Sequence, residues 1–181
     1  QAGVAAGTGA DALPDPKDRV HVLQQYREAL ELVRNGETPA AMAVFERIVA
    51  ENPAMADVWS EIAGLLVRQG RLEEALAAYK RLVETAPFDP AAVVSVSQTL
   101  IELGRLDEAV AQAELALTLL PASEGRWRAA AHKMLMRVAL ERNDTARARL
   151  EARRGQDADP SMPLVEYAEG LIRFRAGQFA E

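Results

Sequence analysis

Pro53, Pro87 and Pro121 stand 34 residues apart, and two other series keep the same step: Gly36, Gly70 and Gly104, and Ala41, Ala75 and Ala109. A fixed period of this length marks stacked, self-similar units, and it constrains the fold more than any other feature of the chain. Between the prolines, apolar residues recur every three or four positions, as in Trp59, Ile62, Ala63 and Leu66, then Leu72, Ala75, Leu76 and Tyr79. That is the helical period, met twice in each unit. Glycine supplies the left-handed residue that ends the first helix. Proline ends the second because it has no amide hydrogen to continue the ladder. The small alanines let the two helices approach closely, so each unit is expected to be a helix hairpin.

The run Trp59-Ser60-Glu61-Ile62-Ala63-Gly64-Leu65-Leu66, with Ala75, Tyr79 and Pro87, resembles the tetratricopeptide repeat (TPR). The resemblance implies an all-α, right-handed superhelical solenoid of antiparallel helix hairpins. Units are expected over about 22–55, 56–89 and 90–123. In the third of these Ala113 stands where an aromatic residue is usual, which predicts a thinner contact. Pro121 and Pro160 are 39 residues apart, so a fourth unit over 124–162 carries five extra residues. Its first helix is expected to be lengthened, roughly Ser123 to Arg142, with Asn143 as the left-handed cap in place of glycine. A fifth unit, 163–181, is expected to be truncated inside a turn, Gly177 to Glu181, that is like Gly70 to Glu74. Its last helix then lacks a covering partner, which predicts self-association through that end. Residues 1–17, rich in Gly and Pro, are expected to be a flexible linker, and residues 18–181 the array.

Composition narrows the function. The 181 residues hold 21 Lys and Arg against 27 Asp and Glu, a formal charge of −6. An acidic balance disfavours nucleic acid and anionic membrane surfaces, which need clustered positive charge. No apolar run is long enough for membrane insertion. With no Cys, and with His21 and His132 far apart, no metal or cofactor site and no catalytic constellation is expected, so the chain is read as non-enzymatic. His132 is expected to be an ordinary packed or solvated residue. Glu73-Glu74 and Asp107-Glu108 follow the turn glycines and are expected to stabilise helix N-termini through the dipole. Arg147, Arg149, Arg153 and Arg154, flanked by Glu151, are expected on a solvated helix face.

Stacked hairpins offer a concave groove lined by their first helices, and the resemblance implies which residues line it. The first unit contributes Tyr26, Arg27, Leu30 and Arg34. The second contributes Asp57, Ser60, Glu61, Gly64 and Arg68, the third Val94, Gln98 and Ile101. Lys133, Met134, Arg137 and Leu140 follow in the fourth unit and Tyr167 in the fifth. The ninth position of a unit is Leu30 or Gly64, and no groove position carries Asn, which argues against the carboxylate clamp that some family members use. The reading is a protein-interaction module binding a peptide or protein segment with apolar anchors and some acidic residues. Leu13-Pro14-Asp15-Pro16-Lys17-Asp18-Arg19-Val20-His21-Val22-Leu23 is similar to the junction ahead of the C-terminal repeat array in bacterial sulfatase-like hydrolases. That similarity implies an alternative, an accessory region of a longer hydrolase acting by intramolecular docking or oligomerisation, and an extracytoplasmic rather than cytoplasmic setting.

Overall fold

The computed structural model describes residues 16–87 and 89–177. Most of the expected linker and the last four residues of the expected fifth unit lie outside them. Among the described residues there are nine helices and no strand. The chain divides into two compact units at the Pro53–Ala54 boundary.

The first unit is a hairpin of α1 (Pro16–Arg34) and α2 (Thr38–Glu51). Pro16 and Lys17, expected in the linker, already belong to α1. Proline suits a first turn, where its missing amide hydrogen has no partner to lose. Ala29 and Ala41 are fully buried between the helices, and Tyr26 packs on Phe45 with ring centroids 6.0 Å apart.

The second unit stacks three hairpins and one further helix. These are α3 (Ala56–Arg68) with α4 (Leu72–Thr85), α5 (Pro90–Glu102) with α6 (Leu106–Leu119), and α7 (Gly125–Glu141) with α8 (Thr145–Ala158), followed by α9 (Leu164–Arg175). The all-α, TPR-like solenoid class that the repeat implies is the class of the fold. Among the described residues no helix is long and apolar enough to cross a membrane.

The turns inside the hairpins repeat one hydrogen-bond pattern. Gly70 donates to the Val67 carbonyl and Arg71 to that of Leu66, and the same pair of bonds recurs at Gly36–Glu37, Gly104–Arg105 and Asn143–Asp144. This pattern ends a helix with one left-handed residue. That residue has φ of 79° at Gly36, 72° at Gly70, 73° at Gly104 and 58° at Asn143. Asn143 therefore does what the glycines do, as its place in the register predicts. The five extra residues of the fourth repeat are divided between two places. Helix α7 has 17 residues where α3 and α5 have 13, and the connection ahead of it, Leu120 to Glu124, is one residue longer than its counterpart, Ala86 to Asp89.

Small residues set the spacing of the core and larger ones fill it. Ala113, expected to leave a thin contact, is buried in one cluster with Met134, Leu135 and Val138, so long side chains from α7 occupy the space an aromatic would take. Met134 and Leu140, expected in the groove, are core residues with 4% and 3% of their surface exposed. Ile101 is likewise buried. The helical spacing that would put these residues on the open face also describes a packing stripe, and neighbouring helices cover it here. Within the α5–α6 hairpin, the buried Ser97 hydroxyl donates to the Ala109 carbonyl at 2.9 Å, tying the two helices where an apolar side chain could only fill space.

Candidate functional site

The first helices of the second unit, α3, α5, α7 and α9, carry most of the expected groove residues, with α7 packed on both α5 and α9. Asp57 and Ser60 are exposed near the start of α3 and Glu61 is half-buried. Arg68, on the last turn, lies back along the helix, so that a Cβ at Gly64 would stand 3.7 Å from its Nη1. The half-buried Tyr79 of α4 faces Ser95 and Glu102 of α5 and Arg68 of α3. Burial pushes its phenol up; the hydrogen bond with Ser95 and the positive charge of Arg68 pull the other way, and Glu102 adds to the rise. Gln98 donates to Glu102 at 3.1 Å, and Val94 is half-buried beside them. Further along, the Lys133 ammonium lies 5.4 Å from the centre of the Tyr167 ring, joining α7 to α9 through a cation–π contact. Arg137, one turn on from Lys133, is half-buried. Neither Arg68 nor Arg137 forms a salt bridge among the described residues.

In the first unit Tyr26 and Leu30 are half-buried and Arg27 and Arg34 exposed on α1, with Arg34 3.7 Å from Glu31. Tyr79, Ser95 and Glu102 make up the polar centre of the α3–α5 face. In the sequence Tyr79 reads only as part of the apolar helical period and the repeat pattern, because its nearness to Ser95 comes from folding and not from sequence proximity.

Of two expectations about charge, one holds and is extended and the other is corrected: Glu73-Glu74 and Asp107-Glu108 do stand in the first turns of α4 and α6. Glu74 and Glu108 do more than face a helix dipole: each grips the arginine three residues earlier with both carboxylate oxygens, Arg71 at 2.7 and 2.6 Å and Arg105 at 2.7 and 2.7 Å. These bonds hold both carboxyls below the ordinary glutamate range. Their neighbours bridge successive turns. Glu73 pairs with Arg105 at 3.3 Å, Asp107 with Arg142, and Glu141 with Arg175 at 2.6 Å, forming a ladder along the turn end of the stack. Arg175, whose place in the repeat is a groove position, is thus bound at that ladder and also donates to the Leu140 carbonyl.

The correction concerns α8. Glu151 is not on a solvated face; it is fully buried and accepts from His132 Nδ1 at 2.8 Å. Arg147 at 2.8 Å and Arg154 at 3.1 Å close on its other oxygen. Burial pushes the Glu151 carboxyl up, but the His132 hydrogen bond and the charges of Arg147, His132 and Arg154 together outweigh it and hold the pKa below the ordinary value. Arg149 pairs with Glu169 of α9 at 2.6 Å. The arginines themselves lie on the exposed face of α8 as expected, while Glu151 ties α8 to His132 of α7 and Arg149 ties it to α9. Among the described residues no three His, Cys, Asp or Glu side chains converge as a metal site would require.

Residues 26–90, about a third of the chain, match the family model described as tetratricopeptide repeat. No curated protein sequence matches the chain. Solved structures match in fold at low sequence identity. MamA residues 41 to end from Desulfovibrio magneticus RS-1 is 14% identical with a TM-score of 0.68, over 87% of this chain and 86% of that one. A thermophilic TPR protein of Thermus thermophilus is 20% identical with a TM-score of 0.65, over 87% and 84%. A tetratricopeptide repeat protein from Parabacteroides merdae is 14% identical with a TM-score of 0.71, over 86% of this chain and 60% of that one.

Proposed function

We propose that this tetratricopeptide-repeat chain is a non-catalytic protein-interaction module whose second unit takes a partner segment along the face of α3, α5, α7 and α9. The observation that carries the reading is the pair Arg68 and Arg137. Both are cations on that face without a salt bridge among the described residues, whereas Arg71, Arg105, Arg142, Arg147, Arg149 and Arg154 are all held by carboxylates. Guanidinium groups left open beside half-buried apolar side chains suit a segment that brings acidic groups and apolar anchors together. Val94 and the 45% exposed Tyr167 offer the apolar contacts. Helical repeats use such extended faces to bind other chains. The corresponding face of the first unit is α1, with Tyr26, Arg27, Leu30 and Arg34.

The test is the double variant Arg68→Glu with Arg137→Glu, compared with the wild type in a pulldown read by mass spectrometry and then by titration of the captured partner. The expected result is loss of binding with the helical circular dichroism unchanged. Undiminished affinity in the folded double variant rejects this face as the binding site.

A further inference from the structure

At the end of the second unit remote from its left-handed turns, the α4–α5 connection, the C-terminus of α6 and the start of α7 enclose an open pocket of about 410 Å3. Val93, Ala116, Leu119, Leu120, Pro121 and Trp127 form its apolar wall. The volume lies within the ~300–1,000 Å3 typical of ligand sites. Leu119 is 50% exposed, and Leu115, one helical turn earlier on α6, is 44% exposed, so apolar surface runs from the pocket along the helix.

The charged residues lining this pocket, Asp89 and Glu124, are both acidic. The nearby cations of α7 keep their charge but are tied to other groups. Arg128 donates to the Leu117 and Leu120 carbonyls at 3.0 and 2.9 Å, closing the end of α6, and Arg126 lies over the Trp127 ring at 5.6 Å.

We propose that this pocket is a second docking site, distinct from the face of the first helices, for a protein segment that presents one large apolar side chain flanked by Lys or Arg. The anchor fills the space between Val93, Leu119 and Trp127, and the flanking cations meet Asp89 and Glu124. An apolar seat with a charged rim is the arrangement in which one side chain supplies most of the affinity and the rim selects the partner. The rim discriminates against the acidic segments that Arg68 and Arg137 favour, so the two sites select partners of opposite charge.

The experiment titrates the full chain with three blocked pentapeptides, Lys-Lys-Phe-Lys-Lys, Lys-Lys-Ala-Lys-Lys and Glu-Glu-Phe-Glu-Glu, following amide NMR shifts at Val93, Ala116 and Leu119. The first peptide is expected to give saturable shifts at those positions. Replacing the Phe anchor or reversing the flanking charge is expected to weaken binding by roughly tenfold or more. Leu119→Lys alters a half-exposed side chain and leaves the fold in place; it is expected to abolish the shifts. The variant Arg68→Glu with Arg137→Glu is expected to leave the affinity within about twofold, since those charges are screened at a distance, so a failure of the first-helix face and a failure of the pocket are separable. The proposal is overturned by absence of saturation with the Phe-anchored basic peptide, by equal affinity for the Ala or the Glu peptide, or by binding that persists in folded Leu119→Lys.

Discussion

Replacing Glu151 tests whether the buried charge cluster holds α7 against α8. In Glu151→Ala the buried His132 loses its acceptor, and an orphaned buried donor costs about 1–3 kcal/mol. Arg147 and Arg154 lose their carboxylate, but their side chains are 46% and 50% exposed, so each contributes no more than roughly 0.2–1 kcal/mol. The space vacated between Ala148 and Ala152 adds a cavity term. The sum is about 1.5–5 kcal/mol before the cavity term, which at ~2–4 °C per kcal/mol lowers the melting temperature by roughly 3–20 °C. Glu151→Gln keeps the volume and an acceptor for His132 and loses only the charge, so it should cost about 1 kcal/mol. The pH dependence separates charge from packing. A folded pKa held below the ordinary glutamate value of 4.5 stabilises the fold fully above that pH, and the contribution fades as pH falls through the lower folded value. Thermal unfolding by circular dichroism from about pH 7 to pH 3 should therefore show the wild-type advantage over Glu151→Gln intact above pH 4.5 and shrinking below it. Equal stability of the two proteins at neutral pH, or a gap that stays constant into acid, would refute the assignment.

Gly125→Ala is expected to destabilise the chain by about 1–3 kcal/mol in chemical denaturation, because the added Cβ would overlap the Ala158 carbonyl oxygen and backbone has to move. At the turns the strain is conformational: no atom lies within 4 Å of a Cβ built at Gly70, so Gly70→Ala should cost only the left-handed penalty of roughly 1–2 kcal/mol. Asn143→Gly, relieving the same geometry, should be neutral or raise the melting temperature; a clear drop would count against the shared turn pattern.

The hairpins were legible because each depends on a local device with a sequence signature. A glycine reverses the chain, a proline stops it, and alanines fix the approach distance, so the 34-residue step carries the fold almost by itself. Asn143 could be placed because its backbone demand is local. Glu151 was misread for the opposite reason. Its neighbours in sequence are arginines, and a charge run reads as solvent-facing. Yet Ala148, Glu151, Ala152 and Gly155 stand three or four residues apart in the pairs 148–151, 148–152, 151–155 and 152–155, the period of a packed stripe, and that stripe, not the charge, decides the direction of the side chain. Met134 and Leu140 show the same ambiguity in reverse, since the period assigns a face but not whether another helix covers it.

The pocket was legible only in part. Its wall joins two connections, α4–α5 and α6–α7, whose Val93 and Trp127, like Pro87 and Pro121, stand one 34-residue step apart, but the step does not say that Leu119 stays half-exposed beside them. Net charge was no guide either, because a total of −6 averages over surfaces that differ. The cations of the turn ladder are bound to neighbouring carboxylates, Arg68 and Arg137 of the first-helix face form no salt bridge among the described residues, and the α5–α6 hairpin has almost no cations. A binding surface is selected by the charges left unneutralised after folding, and these depend on which arginine reaches which carboxylate. It follows that Arg68→Glu and Glu124→Lys, each reversing one local charge, should affect different partners, even though the first makes the chain more acidic and the second less.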